Sequence, residues 1–499
     1  MPLDPQHIAA FQSWQKDANK FIADCIPDLK LTNQQRNGFI ELNRLINAKL
    51  KRAGRPIDFG GGPLTAQEKE YADKIGVSIM SGKGTGKDTF AAVFIIWFLC
   101  CFPFSKIPCT APTGHQLKDV LWSEINKWLR QSKVKEYLTW QSDKVFFNEY
   151  EGKEWFAVAR TCNPRASVEE QAETLGGFHE KFLAVVFDES SRIADPVYGA
   201  LEGTLTDICN LIVNIFNPTR SKGFAVETHK KDRHRWIALR WDAEESERVT
   251  KESIAGLAKK YGRDSNFFRI YVKGLPPISG EKLLIEYDWA EDAIERDIEA
   301  IGTDPLVFGI DVGGGGDSSV LVRRRGPVVE GIESRDTPDA EQLINWIVKE
   351  IYNHEPDMVL IDTIGIGWAV EAGVRARCRS TLILGINVSE SSTDELRFYR
   401  LRDQLCWSLR EQFEKRVIKI PDDPLLIGEM TSLKYDDERT DGKLKVESKK
   451  ELKKRGVESP NRFDALMLTE YYDYEMLRRM SGRKKEHFRR EESVNWKTV

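Results

Sequence analysis

Eight residues, Ser81-Gly82-Lys83-Gly84-Thr85-Gly86-Lys87-Asp88, lie between an apolar strand-like run, Val77 to Met80, and an apolar helix-like run, Phe90 to Phe102. Strand, glycine-rich turn and helix in this order point successive backbone N–H groups and a helix N-terminus at one place, which suits phosphate oxygens. Gly82, Gly84 and Gly86 open the backbone, Lys87 brings the charge that reaches β- and γ-phosphates, and Ser81 and Thr85 complete the turn. Two positions depart from the common pattern. Ser81 replaces the first glycine, and Asp88 stands where a Ser or Thr hydroxyl usually holds Mg²⁺. An Asp can ligate Mg²⁺ directly or through water, and Thr89 is adjacent. The loop therefore predicts ATP and Mg²⁺, with Mn²⁺ as an alternative. Phe90 to Phe102 is too short to span a bilayer, is closed by Pro103, and reads as a buried helix.

Further apolar runs, Lys106 to Thr110, Phe182 to Phe187 and Leu211 to Phe216, alternate with helical segments and predict parallel βαβ units in a doubly wound α/β sheet. The second run delivers Asp188 and Glu189 at its C-terminal end, where α/β ligands bind. Asp188 suits Mg²⁺ and Glu189 suits polarising an attacking water; a plain exposed turn is the other reading. Residues 1–74 read as a helical lead-in or lid, with apolar spacing in Phe11 to Ile26 and Phe39 to Leu50. Residues 75–280 read as a P-loop (RecA/ASCE-like) ATPase domain.

The pattern lapses around Pro276 to Glu281, and a charged helical stretch follows, so 281–302 is expected to be a linker. Residues 303–475 begin with a meander of short strands and then alternate helix and strand, the order of a ribonuclease-H-like nuclease domain. Asp311 ends the run Val307 to Ile310, Asp362 ends Met358 to Ile361, and Asp464 lies in the helical segment Ser459 to Leu466. Two-metal hydrolysis of a phosphodiester needs such carboxylates around a pair of divalent ions, and oxygen ligands suit Mg²⁺ or Mn²⁺. Each acid alone also reads as a capping or surface acid. Asp317, beyond four glycines, reads either as orienting the loop or a metal or as a tight-turn residue. Lys443, Lys445, Lys449, Lys450, Lys453, Lys454 and Arg455 are candidates for DNA phosphates, or a solvated charged face. Residues 476–499 form a basic tail.

A chain of 499 residues has room for two or three such domains, and its net charge of -4 neither advertises nor excludes a nucleic-acid partner. The eight cysteines lack ligand spacing and read as buried free thiols. The first fifteen residues carry no apolar signal core.

The set SGKGTGKD, APTGHQL, GGFHEKFLAVVFDES, IFNPTRSKGF and SPNRFDAL, in this order, resembles the large terminase subunit of tailed double-stranded DNA bacteriophages. That resemblance covers Leu31 to Tyr472. It implies a motor that packages viral DNA into a procapsid and a metal-dependent endonuclease that cuts concatemers when packaging starts and ends. It assigns Asn217 to sensing nucleotide state and coupling it to movement, and it calls for an arginine finger, for which Arg160 and Arg165 are candidates. Asn461 stands where the family more often has Asp. The implied partners are double-stranded DNA, the portal protein of the procapsid, the small terminase subunit and further copies in a homo-oligomeric ring, with no membrane. The implied place of work is the host cytoplasm, docked transiently on the procapsid and absent from the mature virion. Competing readings are a helicase-nuclease of repair or phage defence, which should carry a second motor motif series, and a portal-docking scaffold in which Asp88 has stopped ATP turnover.

Overall fold

The computed structural model describes residues 5–54, 63–114, 116–161, 175, 177–202, 205–278, 282–314, 318–336 and 339–471. Arg165, Gly176, Asp317, Cys162 and the basic tail lie outside the described residues. The chain divides into two compact units, one of Met1–Gly256 with Phe268–Pro277, the other of Leu257–Phe267 with Ile278–Val499.

The first unit is built on eight strands: β1 (Gly76–Ser81), β2 (Lys106–Thr110), β3 (Leu138–Trp140), β4 (Lys144–Phe147), β5 (Phe156–Ala159), β6 (Phe182–Phe187), β7 (Cys209–Phe216) and β8 (Trp236–Trp241). They pair in the order β3-β4-β5-β2-β6-β7-β1-β8. From β5 to β8 every pairing is parallel, and β3 and β4 add an antiparallel edge. Here β7 separates β1 from β6, the strand that delivers Asp188 and Glu189. That inserted strand is the RecA/ASCE arrangement expected from the sequence. The antiparallel edge and β8 were not anticipated, because their residues are too short or too mixed in polarity to read as buried strands.

The helix Lys87–Cys101 buries every residue except Asp88. It packs against the sheet on one side and N-terminal helices on the other, with Phe39 and Phe90 rings 4.4 Å apart and Trp97 Nε1 donating to Trp14 O at 2.8 Å. Among the described residues no helix is long and apolar enough to cross a membrane. The apolar stretch Phe11 to Ile26 is two helices rather than one, because the Asp17 side chain accepts from the N–H groups of Asn19 and Lys20 and starts a new helix at Ala18.

The second unit holds β9 (Leu306–Asp311), β10 (Ser319–Arg325), β11 (Val328–Arg335), β12 (Met358–Asp362) and β13 (Leu382–Ile386) in the order β11-β10-β9-β12-β13. The first two pairings are antiparallel and the last two parallel, the ribonuclease-H-like sheet predicted from the strand order. Further along, β14 (Tyr435–Asp436) and β15 (Lys445–Val446) pair as an antiparallel hairpin. Within the stretch expected to link the domains, Tyr287–Glu295 is a helix whose buried face includes Tyr287, Ala290 and Ala293. A helix then runs from Leu401 to Glu414. The residues preceding it pair with the hairpin, Tyr399 N donating to Leu444 O at 3.1 Å and Leu444 N to Arg397 O at 2.8 Å.

Candidate active sites

At the C-terminal edge of the first sheet, the loop from Ser81 to Asp88 is fixed by its own backbone and by neighbours. Gly84 and Gly86 take φ of +78° and +87°, left-handed conformations that side chains resist. Gly82 N donates to Trp241 O at 2.9 Å and Lys83 N to Tyr271 O at 2.7 Å, while the Ser81 and Thr85 hydroxyls lie 2.6 Å apart. Ser81 thus does work inside the turn that a glycine could not.

Lys87 opens the following helix with a buried ammonium, 2.6 Å from Glu189 Oε1 and 3.0 Å from Asp88 Oδ1. Burial opposes its charge, but Glu189, Asp88 and Asp188 outweigh it and hold the lysine well above its ordinary range. Glu189 adopts φ of +48°, a left-handed strain of about 1–3 kcal/mol for a residue with a side chain, at the place that turns its carboxylate onto Lys87. Burial would raise the Glu189 carboxyl; Lys87 overrides it and keeps it low. Its neighbour Asp188 is pushed up to about 7, by burial first and then by the adjacent carboxylates.

Asn217, at the end of β7, donates from Nδ2 to Ser81 O at 2.6 Å, and its backbone N–H reaches Glu189 Oε2 at 3.5 Å. It therefore joins the acid to the strand that carries the loop. Thr89 is turned elsewhere, its hydroxyl donating to Glu124 Oε1 at 2.7 Å. Arg160 is exposed at the end of β5, its backbone N–H donating to Cys109 O at 2.8 Å. Two residues escaped sequence reasoning. Gln35, buried in the N-terminal helix Asn33–Arg52, donates from Nε2 to Gly86 O at 2.8 Å, and Arg248 lies across Gly86. Thr32 and Gln35 form a capping box, a pattern visible in the sequence as a helix start but silent about the loop it touches.

In the second unit, Asp311, Asp362 and Asp464 line one cavity of about 690 Å³. The register pairs Ile310 with Ile361, so Asp311 and Asp362 end adjacent strands. Asp464 arrives on the helix Asn461–Leu468, which lies against β9 because residue 309 is glycine: a Cβ there would sit 2.1 Å from Ala465 O. Asn461 fastens the start of this helix, its Nδ2 donating to Ser318 O at 3.1 Å. Glu429 Oε2 caps it, accepting from the N–H groups of Arg462 at 2.8 Å and Phe463 at 3.0 Å.

Lys449 sits between the acids, 3.0 Å from Asp464 Oδ2 and 3.6 Å from Asp311 Oδ1. Arg402 approaches Asp464 Oδ1 at 3.3 Å. Burial alone would raise Asp464; Lys449 and Arg402 keep it below the usual carboxylate range. Asp311 is pushed up to about 7, chiefly by burial, and burial also raises Asp362. Among the described residues no three acidic, histidine or cysteine side chains close into a metal cluster. The donor set nevertheless fits a hard cation. Lys449 stands in for positive charge between two carboxylates, and buried Asp464 Oδ2 accepts no well-directed hydrogen bond. Lys449 reads from sequence as a phosphate contact or part of a solvated charged face; its two nearest partners are acids. Arg402 was missed, since its partner lies 62 residues further on. Of the other basic candidates, Lys445 pairs with Glu451 and Arg455 with Glu447.

No family model matches the sequence. A protein of Enterobacteria phage P7 described as a probable terminase, large subunit, is 28% identical over 290 residues, which are 54% of this chain and 57% of that protein. The chain thus matches little more than half the length of this relative. Among solved structures, the nuclease domain of the large terminase subunit of bacterial virus Sf6 aligns with 38% of this chain and 99% of its own, at 20% identity and a TM-score of 0.34. The large terminase of a thermophilic bacteriophage, in complex with ATP-γ-S, aligns with 88% of this chain and 98% of its own, at 14% identity and a TM-score of 0.38.

Proposed function

We propose that this chain is the large subunit of a terminase of a tailed double-stranded DNA bacteriophage: an ATP-driven motor that moves duplex DNA into a procapsid, joined to an endonuclease that cuts it. The observation that carries the reading is the presence in one chain of two sites where a lysine meets clustered carboxylates, at the ends of two sheets of different topology. The likeness to the phage P7 protein supports it.

In the first unit the turn Ser81 to Lys87 binds the β- and γ-phosphates of ATP through backbone N–H groups and the Lys87 ammonium. Asp188 and Asp88 are the ligands for Mg²⁺. Glu189 accepts the proton of the attacking water, and the phosphates compete with it for Lys87. Asn217, bonded to the strand below the loop and near Glu189, reports the state of the site. In the second unit Asp311, Asp362 and Asp464 would hold Mg²⁺ or Mn²⁺, the cations for cutting the phosphodiester. Divalent ions bound at the two sites neutralise phosphate charge and, at the second, activate water. Arg402 orients Asp464. The partners on this reading are double-stranded DNA, the portal protein, the small terminase subunit and further copies in a ring, in the host cytoplasm at the procapsid.

DNA-stimulated ATP hydrolysis and plasmid digestion with Mn²⁺ separate the two activities. Lys87→Ala should lose ATP turnover by about 10³-fold, near 4 kcal/mol of barrier, and keep digestion. Asp311→Asn and Asp362→Asn should do the reverse. Wild-type protein that turns over no ATP with DNA present, or digestion that survives in both Asn variants, would end the reading.

A further inference from the structure

A second cavity of about 650 Å³ adjoins the acid cavity in the second unit, and Lys449 and Lys450 line both. Its wall carries Lys259, Lys260, Lys449, Lys450, Lys453 and Arg462 with Glu429 and Glu458; Lys259 lies 3.6 Å from Glu458 and Arg462 pairs with Asp423, which leaves the other lysines in excess. Glu429 adds little negative charge near neutrality, since burial pushes it up to about 8. Among the described residues Lys450 and Lys453 are left without the carboxylate partners that occupy Lys445 and Arg455. Ser318, Ser334 and Ser459 add hydroxyls to the same wall.

Two of these lysines come from a segment almost two hundred residues away in sequence, and its packing is specific. Tyr261 stacks on Phe267 with ring centroids 3.8 Å apart and fills the space that Gly428 leaves open. Asn266 closes the segment, with Nδ2 donating to Ile278 O and Oδ1 accepting from Ile278 N, both at 2.9 Å. Lys260 O accepts from Glu458 N at 3.3 Å. Lysines held on a fastened segment lose less freedom on binding than lysines on a loose tail.

We propose that this basic groove, and Lys259 and Lys260 in particular, binds the phosphodiester backbone of the DNA strand that enters the acid cavity. The proposal rests on the nuclease reading above and adds residues that fall within 75–280, the stretch read from sequence as the ATPase domain. The contacts are to phosphates, so they position the strand and carry no base preference.

Fluorescence anisotropy of a labelled 20-base-pair duplex, in EDTA and over a series of KCl concentrations, tests it without cleavage. Lys259→Ala/Lys260→Ala should bind about 5- to 10-fold more weakly at low salt, and the log–log salt slope should shrink by roughly 1–2, as expected for one or two lost phosphate contacts. With Mn²⁺ the same variant should show a higher KM and an unchanged kcat. Lys453→Glu should weaken binding further in the same direction. Lys349→Ala, an exposed lysine on the helix Ala340–His354, should change neither affinity nor slope. Wild-type affinity and slope in the double variant would overturn the groove, and so would an equal loss in Lys349→Ala, which would leave only overall charge. A binding loss in the double variant, with wild-type protein that cuts no DNA, would retain the groove and remove the nuclease.

Discussion

The two sites share one electrostatic design. Each has a lysine that keeps one buried carboxylate low, Glu189 or Asp464, beside a second acid, Asp188 or Asp311, that burial pushes up to about 7. They differ in how the lysine is held. Lys87 is 10% exposed and belongs to a loop fixed by backbone hydrogen bonds, whereas Lys449 is 45% exposed and opens a short helix, Lys449–Lys454. A cation built into the loop would be a permanent part of the proposed phosphate grip. One on a half-exposed side chain can withdraw when a metal arrives. On the proposed reading the same pairing serves as a fixture in one unit and as a placeholder in the other.

The largest test of this contrast is Gly309→Ala. A Cβ would meet Ala465 O at 2.1 Å, so the Asp464 helix must move off β9. A displacement near 1 Å should lower Mn²⁺-dependent cutting by about 100-fold, while ATP hydrolysis in the other unit stays intact. Loss of both activities together would mean that the two sites are not independent.

Lys449→Met sharpens the contrast at intermediate size. Without the ammonium, Asp311 and Asp464 lose a competitor for metal, so Mn²⁺ should raise the melting temperature by about 2–4 °C more in the variant than in wild type. Equal Mn²⁺ shifts in the two proteins would make Lys449 a fixture as well.

The smallest effect concerns the cap of the Asp464 helix. Burial raises Glu429 to about 8, so the folded protein holds a proton that the unfolded chain releases above its ordinary carboxylate pKa. The folded state then binds more protons over that window, and stability falls as pH rises from about 5 to about 8. Glu429→Gln keeps an acceptor for the Arg462 and Phe463 N–H groups and cannot ionise. Its melting temperature should fall less than that of wild type between pH 6 and pH 8.

The first site was legible because its residues are local or end apolar runs: the loop is contiguous, and Asp188, Glu189 and Asn217 each follow a buried strand. The acids of the second site were legible for the same reason. What sequence could not supply were partners chosen by tertiary packing. Lys449 sits in a run of alternating charge that reads as a solvated face, and only the fold turns it toward Asp464. Arg402 lies in a helix whose mixed polarity gives no hint of a buried guanidinium. Thr89 follows Asp88 in the chain, but the helical turn carries its hydroxyl round to Glu124. Residues 257–267 continue a segment of the first unit without any break in composition, so their place in the second could be found only in three dimensions.

The helix behind the phosphate loop is hemmed in along its whole length, from Thr89 to Cys101. Close-packed interiors deform little, because any shift opens voids on one face and overlaps on another. A tug on Lys87 is therefore borne by the surrounding layers as by a stiff rod set in mortar. If the proposed motor reading holds, its stroke has to come from thinner, less encased parts, since the hand that would grip the fuel is too well embedded to bend.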